Sequence, residues 1–456
     1  LLLASGCAHF HDQPLSPEQS QADFESRSLS DAGLHAFVET NLQQVLPAWP
    51  PARWGLTTLT LAAFYFHPDL DVARAQVAVA AAGGTTAGQR PNPSVGVTPG
   101  YNTTTDIPSP WIVSFSFDVP IETAGKRGYR IAQAEHLSQA ARFSLAGVAW
   151  QVRSRVRHAL FDLQASQQTA ALAQSQTEVL REMVRLLEQQ REVGEVAPLE
   201  VALAQVNLDT GLLAVEDARR LSAESLAALA EAVGVPLQAV AGMPLEFPKL
   251  ESLPENLVSN EVRREAVLNR SDVLAALADY AATQSALQLE IAKQYPDVHL
   301  NPGYEFDQGD NKWMLGLSIE LPVLNRNQGP IAEALARRQE SAARFTAIQV
   351  RAVGGIDRAL AGYNASRQQV VVADSLLRGQ NERRQLTQSL FDAGDVGRLE
   401  LATVQVEVVG SEQARLNALV KAQEALIALE DAVEYPFDRR PAMFESSSSQ
   451  GKEHSE

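Results

Sequence analysis

Residues 111–119 read WIVSFSFDV, and residues 313–321 read WMLGLSIEL. In the first stretch Trp111, Val113, Phe115, Phe117 and Val119 hold the odd positions, with Ser114, Ser116 and Asp118 between them. In the second, Trp313, Leu315, Leu317, Ile319 and Leu321 alternate with Gly316, Ser318 and Glu320. The segment before it sets Val298, Leu300, Tyr304 and Phe306 against His299, Asn301 and Glu305. Successive side chains of a strand point to opposite faces, so this period predicts strands with one apolar and one polar face. About ten residues is also what a tilted strand needs to cross a bilayer. A soluble, half-buried hairpin shows the same alternation. Two further features favour lipid: Trp111 and Trp313 at strand starts with Tyr101 and Tyr304 near the facing ends, and polar loops at 102–110 and 307–312 suited to an exposed mouth.

Four strands cannot close a membrane barrel, since about eight is the smallest number that does. An open edge in lipid would strand its N–H and C=O groups without partners. The chain must therefore share its barrel with other copies, about eight strands for two chains and about twelve for three. A barrel of about eight strands fills with its own side chains, whereas three chains leave a lumen. The polar positions Asp118, His299, Glu305 and Glu320 are the candidate lumen residues.

Outward from the strands, the chain is duplicated. ALAEAVGVPL at 228–237 recurs as ALEDAVEYPF at 428–437, and NPSVGVTPGY ending at Tyr101 matches YPDVHLNPGY ending at Tyr304. Gly194, Val196, Leu199, Glu200 and Ala202 align with Gly394, Val396, Leu399, Glu400 and Ala402, as Pro120 does with Pro322. Repeats of this kind are the first thing to settle in a long chain. The first unit spans 57–235 with a β-hairpin at 93–121, and the second spans 258–436 with a hairpin at 296–322, joined by a connector at 236–257. In each, a helical run (57–90, 258–294) leads into the hairpin, a very long helix follows (125–193, 328–392), and a last helix closes the unit (198–234, 398–433). At 1.5 Å per residue the long helices reach roughly 100 Å, with two half-length helices stacked alongside. The apolar stripe Val148, Val152, Val156, Leu160 and Leu163 recurs at helical spacing and predicts packing against neighbouring helices. Gly194 and Gly394 sit where a left-handed cap ends a helix, and Pro198 in a first turn. These are helical-hairpin tips.

Composition excludes several classes. The chain of 456 residues is 45% hydrophobic and only 6% aromatic, and has no apolar run of the roughly 18–20 residues a spanning helix needs. Its formal charge of −17 argues against nucleic acid. No HExxH spacing, nucleophile elbow or phosphate-binding glycine loop is present, so no enzyme and no cofactor is expected. His9 and His11 form a lone pair in a polar stretch and read as tether. The single cysteine, Cys7, follows LLLASG, which reads as the end of an apolar signal segment, residues 1–6, ahead of a cleavage point. Residues 7–56, with Pro14, Pro17, Pro47, Pro50 and Pro51, read as an extended tether along the helical body, and 437–456 as a disordered polar tail.

The architecture resembles the TolC-like outer-membrane efflux proteins. HPDLDVARAQ at 67–76, GQRPNPSVGV at 88–97, VPIETAGKRGYRIAQAE at 119–135 and LNRNQGPIAEA at 324–334 carry the likeness, and the third resembles the CzcC-like heavy-metal branch. The resemblance implies a mainly α fold with a small β part: a homotrimer with a twelve-stranded transmembrane β-barrel in outer-membrane lipid and a periplasmic α-barrel. It implies a lipoprotein whose acylated first residue is Cys7, with Ala8 consistent with outer-membrane sorting. It implies adaptor contacts at Gly194, Glu195, Val196, Ala197, Gly394, Asp395, Val396 and Gly397, with an inner-membrane pump of the RND type beyond. It also implies a periplasmic gate at Glu400 and its repeat Glu200, although Thr403 replaces the next acidic position of that pattern. The likeness to the heavy-metal branch implies heavy-metal cations as the cargo, with drug or organic-solvent efflux or type I secretion as the alternative on the same scaffold. A coiled-coil periplasmic adaptor or scaffold is the non-channel alternative; it would need one hairpin flanked by compact β domains rather than a full duplication.

Overall fold

A computed structural model of the chain describes residues 10–104, 106–255 and 260–437. Cys7, His9 and, apart from Phe437, the tail lie outside them. The first repeat runs α3 (Leu56–Phe66), α4 (Pro68–Gly88), β1 (Ser94–Tyr101), β2 (Trp111–Ile121), α5 (Lys126–Glu192) and α6 (Pro198–Val233). It is preceded by α1 (Pro17–Glu25) and α2 (Ala32–Leu42). A short α7 (Leu237–Val240) leads to the second repeat: α8 (Asn260–Asn269), α9 (Ser271–Ala292), β3 (Val298–Asp307), β4 (Asp310–Ile319), α10 (Gln328–Ala393) and α11 (Arg398–Val433).

The long helices α5 and α10 hold 67 and 66 residues, which gives each a length of about 100 Å. Each packs against its own last helix and against the helix that precedes its hairpin. The four strands form one antiparallel sheet in the order β1-β2-β3-β4, so the two hairpins lie side by side with β2 paired to β3. The run read as one helix over 57–90 breaks at His67, because Pro68 cannot donate the next helical hydrogen bond and opens α4 instead. The loop expected at 307–312 tightens to the two-residue turn Gln308–Gly309, both with positive φ, and the strands extend into it.

The stretch 7–56, read as extended, carries α1 and α2 instead. Ser16 and Asp31 cap their N-termini by accepting from Gln19 N and Leu34 N. Leu34, Val38 and Trp54 are buried in one cluster with Leu59, Val152, Val156, Leu160, Leu229 and Val233. Trp54 exchanges backbone hydrogen bonds with the connector, from its N–H to Pro244 O and from Glu246 N to its carbonyl, both 2.9 Å. Arg27 Nη1 donates to Phe66 O and Gly234 O at 2.8 Å each and so satisfies the open C-terminal ends of α3 and α6. The N-terminal segment is thus folded onto the middle of the helical body and supplies it with a core.

Candidate functional site

Along β2 the odd positions Trp111 to Val119 share one apolar face, and Ser114, Ser116 and Asp118 lie on the other with Ile112 at its end. Phe115 lies opposite Val97 and Tyr304, and Val119 opposite Leu300; these share a face with Trp111, Trp313, Leu315 and Leu317. Among the described residues nothing lies over that face: Trp313 is 82% and Leu317 69% exposed. Aromatic rings gather at one end of it, with Tyr101 edge-on to Trp111 at 5.1 Å and Tyr304 tilted on Trp313 at 5.0 Å. On the opposite face, Asp118 and His299 approach to 2.8 Å between Oδ1 and Nδ1, and Ser114 Oγ donates to Glu305 Oε2 at 2.8 Å. Asn301 Nδ2 donates to Ser318 Oγ at 3.2 Å. The structure therefore brings three of the four candidate lumen residues, Asp118, His299 and Glu305, onto one polar face. Glu320 stands apart, exposed and one residue beyond the end of β4.

The sheet is clamped to the helices at its base. Thr123 N donates to Asp297 Oδ1 at 2.9 Å and Lys126 Nζ reaches the same oxygen at 2.7 Å, tying the β2–α5 turn to the α9–β3 turn. Arg130 pairs with Glu122, and Arg127 Nε donates to Gly88 O at 2.7 Å. The pairing with Arg130 holds the Glu122 carboxyl below its ordinary range. In the second repeat Asn327 Nδ2 ties the start of α10 to α9, donating to Glu290 O at 2.7 Å and to Glu290 Oε2 at 2.9 Å, while Leu324 stands 98% exposed.

At the other end of the body the hairpins turn on Gly194 and Gly394, with φ of +81° and +86°. A side chain there would face the steric cost of the left-handed region. Glu195 N donates to Gln190 O and Asp395 N to Leu390 O, both at 2.9 Å, which closes the two long helices in the same way. Gly194, Glu195, Ala197, Gly394, Asp395 and Gly397 are exposed, and Val196 and Val396 half-buried. Glu200 and Glu400 are exposed in the first turns of α6 and α11, where the helix dipole favours a carboxylate. Thr403 Oγ1 turns back onto Leu399 O at 2.9 Å.

A group that sequence reading missed joins the repeats midway along the body. Glu430 of α11 is 1% exposed and meets both Arg157 and Arg153 of α5, the latter at 3.5 Å. Next to it Asp431 accepts from Trp150 Nε1 at 3.0 Å and Ser154 Oγ at 2.6 Å, with His158 Nε2 at 3.5 Å. Burial pushes the Asp431 carboxyl up, but bonds from His158 and Ser154 outweigh it and hold the group below its ordinary range. No motif marks these residues, because they converge from positions about 280 apart. The departure from the repeat at Ala230 and Glu430 was the available signal.

Among the described residues no cluster of three His, Cys, Asp or Glu side chains is arranged to hold a metal ion, and no helix is long and apolar enough to cross a membrane. The profile of the outer membrane efflux protein family matches residues 65–235 and 262–433, which are the two repeats. The chain belongs to the outer membrane efflux protein family. As a member it is similar to the cobalt-zinc-cadmium resistance protein CzcC of Cupriavidus metallidurans, with 25% identity over 235 residues, 51% of this chain. The match spans 55% of that relative, little more than half its length. Its fold is that of the outer-membrane channel OprN (TM-score 0.70, 18% identity, 91% of this chain and 94% of that one). It is likewise that of the outer membrane protein VceC from Vibrio cholerae (TM-score 0.69, 20% identity, 85% and 100%).

Proposed function

We propose that three copies of this chain form the outer-membrane exit duct of a tripartite efflux pump. One observation carries the reading: the sheet offers an uncovered apolar face and two edges, β1 and β4, with no partner among the described residues. Lipid covers such a face at no cost, and closure with other copies removes the edges that lipid forbids. Three copies give about twelve strands around a lumen lined by Asp118, His299 and Glu305, with Glu320 at its inner rim. Below the membrane, α5 and α10 extend the wall into the periplasm. The tips at 194–197 and 394–397 meet a periplasmic adaptor, and an inner-membrane pump of the RND type supplies the driving force. Cys7 carries the lipid. Glu200 and Glu400, exposed at the tip end, gather cations there as converging carboxylates do.

For cargo we infer heavy-metal cations. The similarity to CzcC and the formal charge of −17 support this over drugs, organic solvents or secreted polypeptides. Two measurements test the proposal. Extracted in detergent, the full chain is expected to have the mass of three protomers; a monomer soluble in plain buffer would sink the duct. Deleting the gene is expected to raise sensitivity to zinc, cobalt and cadmium; unchanged metal tolerance with raised drug sensitivity would reassign the cargo.

A further inference from the structure

The two ring nitrogens of His299 meet different surroundings. Nδ1 lies 2.8 Å from Asp118 Oδ1, across the joint between β2 and β3. An ionised carboxylate can only accept, so Nδ1 carries the proton and Nε2 keeps its lone pair. Nε2 has no hydrogen-bond partner among the described residues and is open to solvent, on a side chain 40% exposed. A carboxylate that fixes the tautomer and orientation of an imidazole, and raises the basicity of its other nitrogen, is the usual support of a metal-ligating histidine.

The polar face around this ring offers oxygen atoms and no competing cation. Ser318 and Pro120 lie opposite His299 on the neighbouring strands, and Asn301 Nδ2 turns to Ser318 Oγ. Lys312 is engaged by Asp307 toward the turn of the second hairpin, and Lys126 by Asp297 at the base. Among the described residues neither Asp118 nor His299 has a lysine or arginine partner. The bond to Asp118 also spans a gap in the ladder, where pairing stops at Ser116 with Gly303 and resumes at Val119 with Leu300. Pro302, in that gap, has no N–H to give. Tying the strands accounts for Asp118 and Nδ1 but gives Nε2 nothing to do. Of the other lumen candidates, Glu305 already accepts from Ser114. Carboxylates suit hard cations such as magnesium, whereas imidazole suits zinc, copper and nickel.

We propose that His299 is a ligand for divalent transition-metal cations on the lumen wall, through Nε2, with Asp118 as the positioning residue that holds the ring. Three copies set three such stations at one level, just above the Lys126–Asp297 clamp at the base of the sheet. One imidazole, with water completing the shell of the ion, makes no resident site. Passage asks for this weakness, because a cation has to leave every station it enters. The proposal rests on the duct and the cargo inferred above and names a residue that the cargo touches.

Chemical protection of the ring tests it in the full-length chain, extracted in detergent. Diethyl pyrocarbonate modifies open imidazole nitrogens, and mass spectrometry of the peptide that carries His299 reads the rate. Zinc chloride is expected to slow modification of His299, and magnesium chloride to leave it unchanged. Asp118→Asn keeps an acceptor for Nδ1 but removes the charge, so it should raise the zinc concentration for half protection about 10- to 100-fold. A role confined to tying strands gives no such rise. If wild-type trimers show no zinc protection of His299, or if magnesium protects as well as zinc, the station is refuted and the duct stands. If zinc protects Asp118→Asn as readily as wild type, the positioning role is refuted. A monomeric wild-type protein would overturn the duct, and the station with it.

Discussion

Replacing Phe115 by arginine separates a lipid-facing sheet from a water-facing one. Phe115 lies midway along β2, opposite Val97 and Tyr304, with its ring 6.4 Å from that of Tyr304. It is 42% exposed in the single chain. Facing water, such a position tolerates arginine within about 0.5 kcal/mol beyond the lost ring contact. Facing hydrocarbon at mid-depth, it costs about 2–4 kcal/mol per chain, and three chains multiply this to roughly 6–12 kcal/mol per assembly. Ser116 is the matched control: it sits at the same depth on the polar face, opposite Gly96 and Gly303, with room for a longer side chain. Membrane fractionation followed by a gel for detergent-resistant trimers reads the outcome. Phe115→Arg should abolish assembled protein, while Phe115→Leu and Ser116→Arg should retain it. If Phe115→Arg assembles as fully as Ser116→Arg, the assignment of faces is wrong.

Removing the buried carboxylate in Glu430→Ala leaves Arg153 and Arg157 without their shared anion and should cost about 3–5 kcal/mol. A fall in the midpoint for heat-induced loss of helical circular dichroism checks it; an unchanged midpoint would show that the network adds nothing. Asp431, whose folded-state carboxyl is held low, adds stability that is present above its unfolded value near 4 and is lost as pH falls from there through the folded value. Asp431→Asn should therefore lower the midpoint at neutral pH and narrow its gap to the wild type in acid, and a gap constant down to acid pH would contradict the sign of the shift.

Period and repetition made much of the molecule legible. Alternation at 111–119 and 313–321 announced strands with unlike faces, and Gly194 and Gly394 announced the tips, because both signals are local. The N-terminal segment lies along the helical body as expected, but its conformation was misread as extended for a physical reason. Its prolines suggest extension, yet Pro17 sits at the start of a helix, where no N–H is needed, and the burial of Leu34, Val38 and Trp54 depends on α5 and α6, far along the chain. The partners of Glu430 and Asp431 were illegible for the same reason, although Glu430 itself departs from the repeat at Ala230. Glu320 was placed by parity alone, which cannot say where a strand stops.

The amino-acid pattern by itself determined that the chain is two copies of a helix, hairpin and helical-hairpin unit, since periodicity and caps act within a few turns. It could not decide which equivalent positions are covered. Phe161 and Ala361, or Ile427 and Ala227, occupy the same place in the repeat, yet one of each pair is buried and the other open. Only the tertiary structure decides this, because burial depends on which helix lies alongside. α5 of the first repeat and α11 of the second cover each other, whereas the equivalent positions on α10 and α6 stand open.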